Sequence, residues 1–319
     1  MRKNIYFTSF AHLLGRTASF LLIGLVGCVA NTESDSAEEV GEAKSAVTTS
    51  WQRYQEFSVN NFTGLTISNP GQACFLSGVT GNLNLGDIWS GPLSQPSFAG
   101  LTTNPSLPGA MVLMAHEGTY TNQVNQVLGY GNAVDANAVC MTDSGATTVV
   151  GSGSWTPYTG EVWMAGLGGP NRQCFLQSVS GVDGVWGSTN SYTQVFKITQ
   201  TSSSYPQTGW YLDAGLPIGG TGYPTVNAVC YDFPTGSVIS AQTSVSNSGP
   251  QANTYVNMPS TTLIDACGLT AFWGQFTDSN NLDDGVWLIP PSQQAGTWQM
   301  TAHFDTTNGP KGANAVCIH

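Results

Sequence analysis

A four-residue phrase, Asn-Ala-Val-Cys, occurs three times in the chain, at 137–140, 227–230 and 314–317. Each copy is preceded by a second cysteine in a related setting: Ala73-Cys74-Phe75-Leu76, Gln173-Cys174-Phe175-Leu176 and Ala266-Cys267-Gly268-Leu269. Three units, each opened and closed by a cysteine, restrict the fold more than any other feature, because a repeated segment must be solved by one repeated local structure. Their simplest pairing closes each unit on itself, Cys74 with Cys140, Cys174 with Cys230 and Cys267 with Cys317. It is one of many connectivities that six cysteines allow, chosen because the repeat makes the three pairs equivalent.

Other landmarks recur between the cysteines. An acid followed by tryptophan appears as Gly86-Asp87-Ile88-Trp89, Asp183-Gly184-Val185-Trp186 and Asp284-Gly285-Val286-Trp287. A small residue followed by an aromatic appears as Thr119-Tyr120, Gly209-Trp210 and Thr297-Trp298. The units are placed at 50–143, 150–233 and 250–319, with Ser/Thr/Gly-rich joints read as linkers or surface loops. The opening strand, Ser50-Trp51 and Ser154-Trp155 in the first two units, is degenerate in the third, which offers only Thr254-Tyr255-Val256.

Short runs rich in Val, Phe, Tyr and Trp, such as 110–115, 194–199 and 297–304, are separated by Gly, Pro, Asn and Asp. In the last run Trp298, Met300, Ala302 and Phe304 alternate with polar neighbours, the period of a strand with one buried face. No stretch after the leader sustains a helical period, so the fold class is all-β. Two packings satisfy the repeat. One is three tandem disulfide-clamped antiparallel modules, sandwich- or barrel-like; the other is one β domain in which the copies close around a pseudo-threefold axis. Local disulfides and unequal joints favour the tandem modules.

Composition removes several function classes. Only 8% of residues are charged, and the chain carries 8 basic against 19 acidic residues. A surface so poor in Lys and Arg cannot neutralise a run of phosphates, which argues against nucleic-acid binding. Nine Trp, 11 Tyr and 13 Phe supply core material that a disordered chain lacks.

The N-terminus holds Arg2 and Lys3, then an apolar run over 18–26 that is too short to span a membrane and of the length of a signal-peptide core. The run ends in Leu25-Val26-Gly27-Cys28, which resembles the lipobox of bacterial lipoproteins. The resemblance implies cleavage after residue 27 and lipidation of Cys28, and Val29 in place of Asp after it implies sorting to the outer membrane or cell surface. Residues 28–49, with five acids and Lys44, read as an acidic flexible tether. The alternative is an ordinary secretory signal that discards Cys28. Either way an even set of cysteines in an exported chain fits an oxidising compartment.

No nucleophile elbow, zinc motif or phosphate loop is found. His116-Glu117 and His303-Phe304-Asp305 each put a base near a carboxylate, in places that look non-equivalent, and are read as surface or satisfied histidines. The candidate metal site is a Ca²⁺ loop built from Asp278, Asn280, Asp283 and Asp284, against which stands an ordinary Asn/Asp/Gly turn. The aromatics that recur with the scaffold are read as core, whereas Trp155, Trp163 and Trp273 belong to single units and are the candidates for stacking on a ligand. Together these features point to a lipid-anchored binding or adhesion protein for a glycan or another cell-surface polymer. A hydrolase with an unmarked carboxylate pair and a structural envelope lipoprotein are the alternatives.

Overall fold

The computed structural model describes residues 48–56, 65–68, 72–84, 96–116, 118–121, 127–129, 134–142, 147–181, 185–216, 223–248, 253–259, 266–277, 284–293, 297–303 and 309–319. The leader, Cys28 and most of the tether lie outside them; the first strand opens at Thr48. Among the described residues every regular element is a strand.

The first repeat contributes β1 (Thr48–Glu56), β2 (Leu65–Thr66), β3 (Ala73–Gly81), β4 (Ser97–Thr103), β5 (Met111–His116), β6 (Thr119–Thr121), β7 (Val127–Gly129) and β8 (Val134–Thr142). The second contributes β9 (Thr148–Trp155), β10 (Val162–Ala165), β11 (Arg172–Gly181), β12 (Tyr192–Ile198), β13 (Gly209–Ala214) and β14 (Val226–Asp232). The third contributes β15 (Thr243–Asn247), β16 (Thr254–Asn257), β17 (Ala266–Gly274), β18 (Gly285–Ile289), β19 (Gln299–His303) and β20 (Lys311–Ile318). The runs expected at 110–115, 194–199 and 297–304 fall on β5, β12 and β19.

Each repeat is divided between two sheets. The three six-stranded sheets run β1-β8-β3-β18-β19-β16, β9-β14-β11-β4-β5-β2 and β15-β20-β17-β12-β13-β10. In each, an outer, a closing and a cysteine-opening strand of one repeat meet the middle strands of the repeat before it, with the third repeat closing back on the first. The expectation of three independent tandem modules is therefore corrected. The pseudo-threefold alternative is the one the sheets adopt, and residues 44–319 form a single compact unit. Apart from the two-stranded β6-β7 pair of the first repeat, no repeat holds a complete sheet among the described residues, so none could bury its middle strands alone.

The cysteine pairs are those the repeat suggested: Cys74–Cys140, Cys174–Cys230 and Cys267–Cys317, closing loops of 66, 56 and 50 residues. Each pair sits directly across an antiparallel ladder, Cys74 opposite Cys140, Cys174 opposite Cys230 and Cys267 opposite Cys317. The Asn-Ala-Val-Cys phrase is the other side of this ladder. Its Ala (138, 228, 315), itself fully buried, stands opposite the buried Leu (76, 176, 269). In all three ladders the register then slips at Leu76/Gly78, Leu176/Ser178 and Leu269/Ala271, which leaves Ser77, Gln177 and Thr270 as bulge residues.

β3, β11 and β17 touch one another around the pseudo-threefold axis. There the residues after the opening cysteines converge. Phe75 and Phe175 stack with ring centroids 4.1 Å apart, and the third position is Gly268. A Cβ on Gly268 would lie 2.4 Å from the Phe75 ring and 2.8 Å from the Phe175 ring. The axis holds two rings and excludes a third side chain, which is why the third repeat departs from Cys-Phe-Leu. Farther along, backbone donors form a cycle through all three repeats: Asn84 N–H to the Phe276 carbonyl, Phe276 N–H to the Trp186 carbonyl, and Trp186 N–H to the Asn84 side-chain oxygen. The Tyr231 hydroxyl of the second repeat donates to the Cys74 carbonyl of the first at 2.9 Å. Burial pushes its pKa up to about 12, so it stays a donor at every physiological pH.

Two segments read as joints are strands. β9 begins at Thr148, and β15, Thr243–Asn247, is the true opening strand of the third repeat, pairing with β20 as β1 pairs with β8. Both lie at the edge of a sheet with much of their surface in solvent, so Ser and Thr replace the apolar run that marks a central strand.

Candidate ligand-binding cleft

The sheet shared by the second and third repeats carries a cleft of about 300 Å³. Its origin lies in the ladder between β12 and β17, which has only three partner pairs, ending at Gln194 opposite Ala271. Beyond that point β12 pairs with β13 alone and β17 with β20 alone. The space between them is bordered by Val195, Phe196 and Lys197 on one side and by the bulge residue Thr270 on the other, with Gln173 of β11, Trp210, Ser240, Gln242, Asn314 and Val316 completing the wall. Strand separation and the bulge together make the concavity.

The chemistry of this wall is uniform. Three glutamines, an asparagine, a serine and a threonine supply neutral donors and acceptors, and Phe196 and Trp210 supply aromatic surface. The Lys197 ammonium, the one charged group of the lining, stands 5.5 Å from the centre of the Trp210 ring. Three polar atoms of the lining are buried without a hydrogen-bond partner among the described residues: Thr270 Oγ1, Asn314 Oδ1 and Trp210 Nε1. Each such atom costs about 1–3 kcal/mol; Ser77 Oγ and Asn137 Oδ1, at the equivalent places of the first sheet, share the condition, so it belongs to the repeat and does not mark this wall.

Two of the three Asn residues of the repeated phrase, Asn137 and Asn314, keep a buried side-chain oxygen without a partner among the described residues, and of the two only Asn314 lines the cleft. Asn227 donates to Ser178 Oγ at 2.8 Å within its own sheet, whereas in the third sheet the equivalent of Ser178 is Ala271, which offers no acceptor, and Asn314 faces the cleft. The sheet registers also place Trp287 and Gly100 at the position of Gln194, and Ser77 and Gln177 at that of Thr270. The three equivalent places are thus chemically distinct, not three copies of one site.

No known family, curated protein or solved structure matches the chain. The reading of the cleft rests on its own geometry.

The tryptophans singled out from sequence are not brought together there. Trp155, expected at the surface, is 4% exposed and pairs with Val226 inside the second sheet; this corrects its assignment to ligand contact. Trp163 is 46% exposed, at the far side of β13 from the cleft. Trp273 is half-buried over Gly312, where an added Cβ would meet its ring at 2.2 Å. Trp210, assigned to the core because it recurs, is indeed buried in the core and, with Phe196, also lines the cleft.

Of the calcium loop, Asp278, Asn280 and Asp283 lie outside the described residues. Asp284 is fully buried with its carboxylate 2.7 Å from Lys311 Nζ, which leaves it closed to a cation from solvent; no group of three potential metal-ligating side chains occurs among the described residues. Nor is its motif a true structural repeat. Asp284 directly precedes β18, while Trp186 comes six residues before β12; by sheet register the equivalents of Asp284 are Ser97 and Ser191. His116 and His303 do prove equivalent, as the partners of Phe98 and Gly285 in two different sheets.

Sequence reasoning missed Gln173, Gln194, Thr270 and Trp210 as neighbours. Asn314 carried a signal in its repetition, but its repetition spoke for scaffold.

Proposed function

We propose that the chain is an extracytoplasmic binding protein, anchored by lipid at Cys28 and exposed from the outer membrane, whose third-sheet cleft takes a neutral sugar unit of a glycan or surface polymer. Its three disulfides belong to an oxidising, extracytoplasmic environment, and the lipobox resemblance at 25–28 supports the anchor. The observation that carries the binding assignment is the lining of the cleft: the amides of Gln173, Gln194, Gln242 and Asn314 and the hydroxyls of Ser240 and Thr270 beside the rings of Phe196 and Trp210. Sugar hydroxyls both donate and accept, which suits a wall of neutral amides and hydroxyls beside aromatic surface. A cleft of about 300 Å³ lies at the small end of ligand sites, which suits one or two sugar units.

The test is a glycan array probed with the mature chain carrying Cys28→Ser, followed by calorimetry on any hit. Binding by the parent that falls at least tenfold in Asn314→Ala and in Thr270→Val supports the cleft. Equal binding by both variants refutes it, and a blank array refutes a glycan as the ligand. Metabolic labelling with a fatty acid tests the anchor separately; no label on Cys28 refutes it.

A further inference from the structure

Lys311 and Asp284 are both inaccessible to solvent, with Nζ 2.7 Å from Oδ1. They belong to different sheets: Asp284 leads into β18 beside β3, and Lys311 opens β20 beside β17. Their backbones are held in place. The Gly81 N–H donates to the Asp284 carbonyl, and Lys311 lies opposite Gly274, where an added Cβ would come within 2.9 Å of the Lys311 Cα. The Phe276 ring is 5.4 Å from Nζ, and Phe276 packs against Trp186 and Phe272, all buried. The pair is unique to the third repeat: Val134 stands at the place of Lys311 in the first, and Ser97 and Ser191 at the place of Asp284.

We propose that Lys311 and Asp284 condense into an intramolecular isopeptide bond that staples the first sheet to the third. Three physical points lead there. Two full charges buried beside aromatic rings each lose several kcal/mol of hydration, so moving a proton from the ammonium to the carboxylate, which leaves a neutral amine and a neutral acid, relieves both. The neutral amine is a nucleophile, and the protonated carboxyl is an electrophile. With Nζ held 2.7 Å from Oδ1, amine and carboxyl are already in contact, which removes the entropic barrier of bringing the groups together.

The step balances without a co-reactant. The Nζ–Cγ bond forms and the bond from Cγ to its hydroxyl oxygen breaks. The hydroxyl leaves with one amine proton as water, and the other amine proton remains as the amide N–H. No atom changes oxidation state. The product is a neutral amide in place of two buried charges. The proposal is independent of the cleft and its ligand.

The test is the mass of the mature chain with Cys28→Ser, reduced and denatured, so that only a covalent bond other than a disulfide can survive. The expected result is a deficit of one water, with digestion giving a branched peptide that joins Asp284 to Lys311 and no tryptic cleavage after Lys311. The full calculated mass, with both residues in linear peptides, overturns the proposal. Asp284 precedes Gly285, so a cyclic imide at that bond would also lose water; it would persist in Lys311→Met, and a deficit that survives this substitution overturns the proposal as well. Asp284→Asn is expected to lose ammonia in place of water. The parent measurement needs no variant to fold.

Discussion

Gly268 is the position where the shared-axis packing makes a prediction of opposite sign to ordinary strand behaviour. Inside a strand, replacing Gly by Ala normally stabilises by roughly 0.5–1 kcal/mol, because Gly loses more backbone freedom on folding. Here the added methyl would stand 2.4 Å from Phe75 and 2.8 Å from Phe175, and neither ring can yield readily because the two are stacked at 4.1 Å with Tyr231 and Phe233 behind them. Insertion into a packed interior costs about 1–3 kcal/mol, so Gly268→Ala should destabilise by about 1–2 kcal/mol net. The assay is equilibrium denaturation with the disulfides intact, comparing midpoints at a common slope. A second arm moves the empty place instead of filling it. Phe75→Ala alone should cost about 3–5 kcal/mol through the cavity it leaves, and combining it with Gly268→Ala should cost less than the sum, since the missing ring makes room for the methyl. Gly268→Ala that is neutral or stabilising, or strict additivity of the pair, would refute the convergence of the three repeats on one axis.

Four further outcomes follow from the geometry. Tyr231→Phe removes the hydroxyl that joins the second repeat to the Cys74 carbonyl of the first, and should cost about 1–3 kcal/mol in the same denaturation assay. Arg172 holds Asp232 through two hydrogen bonds of 2.6 and 2.7 Å, which lowers the carboxyl's pKa from its ordinary value. A depressed carboxyl stabilises the fold above its unfolded pKa of about 4, and that contribution is lost as pH falls through the lower folded value. Asp232→Asn should therefore cost about 1 kcal/mol at neutral pH and flatten the acid side of a stability–pH profile; an unchanged profile counts against the pair. Cys267→Ala with Cys317→Ala opens a 50-residue loop and should cost roughly 4 kcal/mol on the chain-entropy account. Because the repeats share sheets, the third repeat expressed alone should show no cooperative unfolding transition, whereas a self-sufficient module would show one.

The cysteine pairing was readable because three copies at matching positions selected one connectivity, and the strand at 299–303 because Met300 and Ala302 alternate with polar neighbours, although Gln299 and Thr301 are buried as well and the strand has no solvent face. β15 was not readable. An edge strand meets solvent on much of its surface, so Thr243–Asn247 needs only Val245 and Asn247 buried and has the composition of a loop. Trp155 was misplaced for the converse reason: it ends an edge strand, yet its side chain belongs to the buried core cluster, and that packing is not written in the local sequence. The acid-to-tryptophan motif misled because similar letters fell on different structural positions.

The sequence by itself determined the class, the number of repeats and the partners of the cysteines. These are local properties, carried by side-chain period and by a phrase that recurs within one chain segment. Which repeat completes which sheet was decided only by the tertiary structure. The ladders between repeats are three or four pairs long and carry no recurring phrase; they form because the middle strands of each repeat have no other partner once its cysteine ladder is closed. The cleft comes from the same cause. It opens where one of those short ladders ends, so Asn314, Thr270 and Trp210 meet only when strands of two repeats are laid side by side.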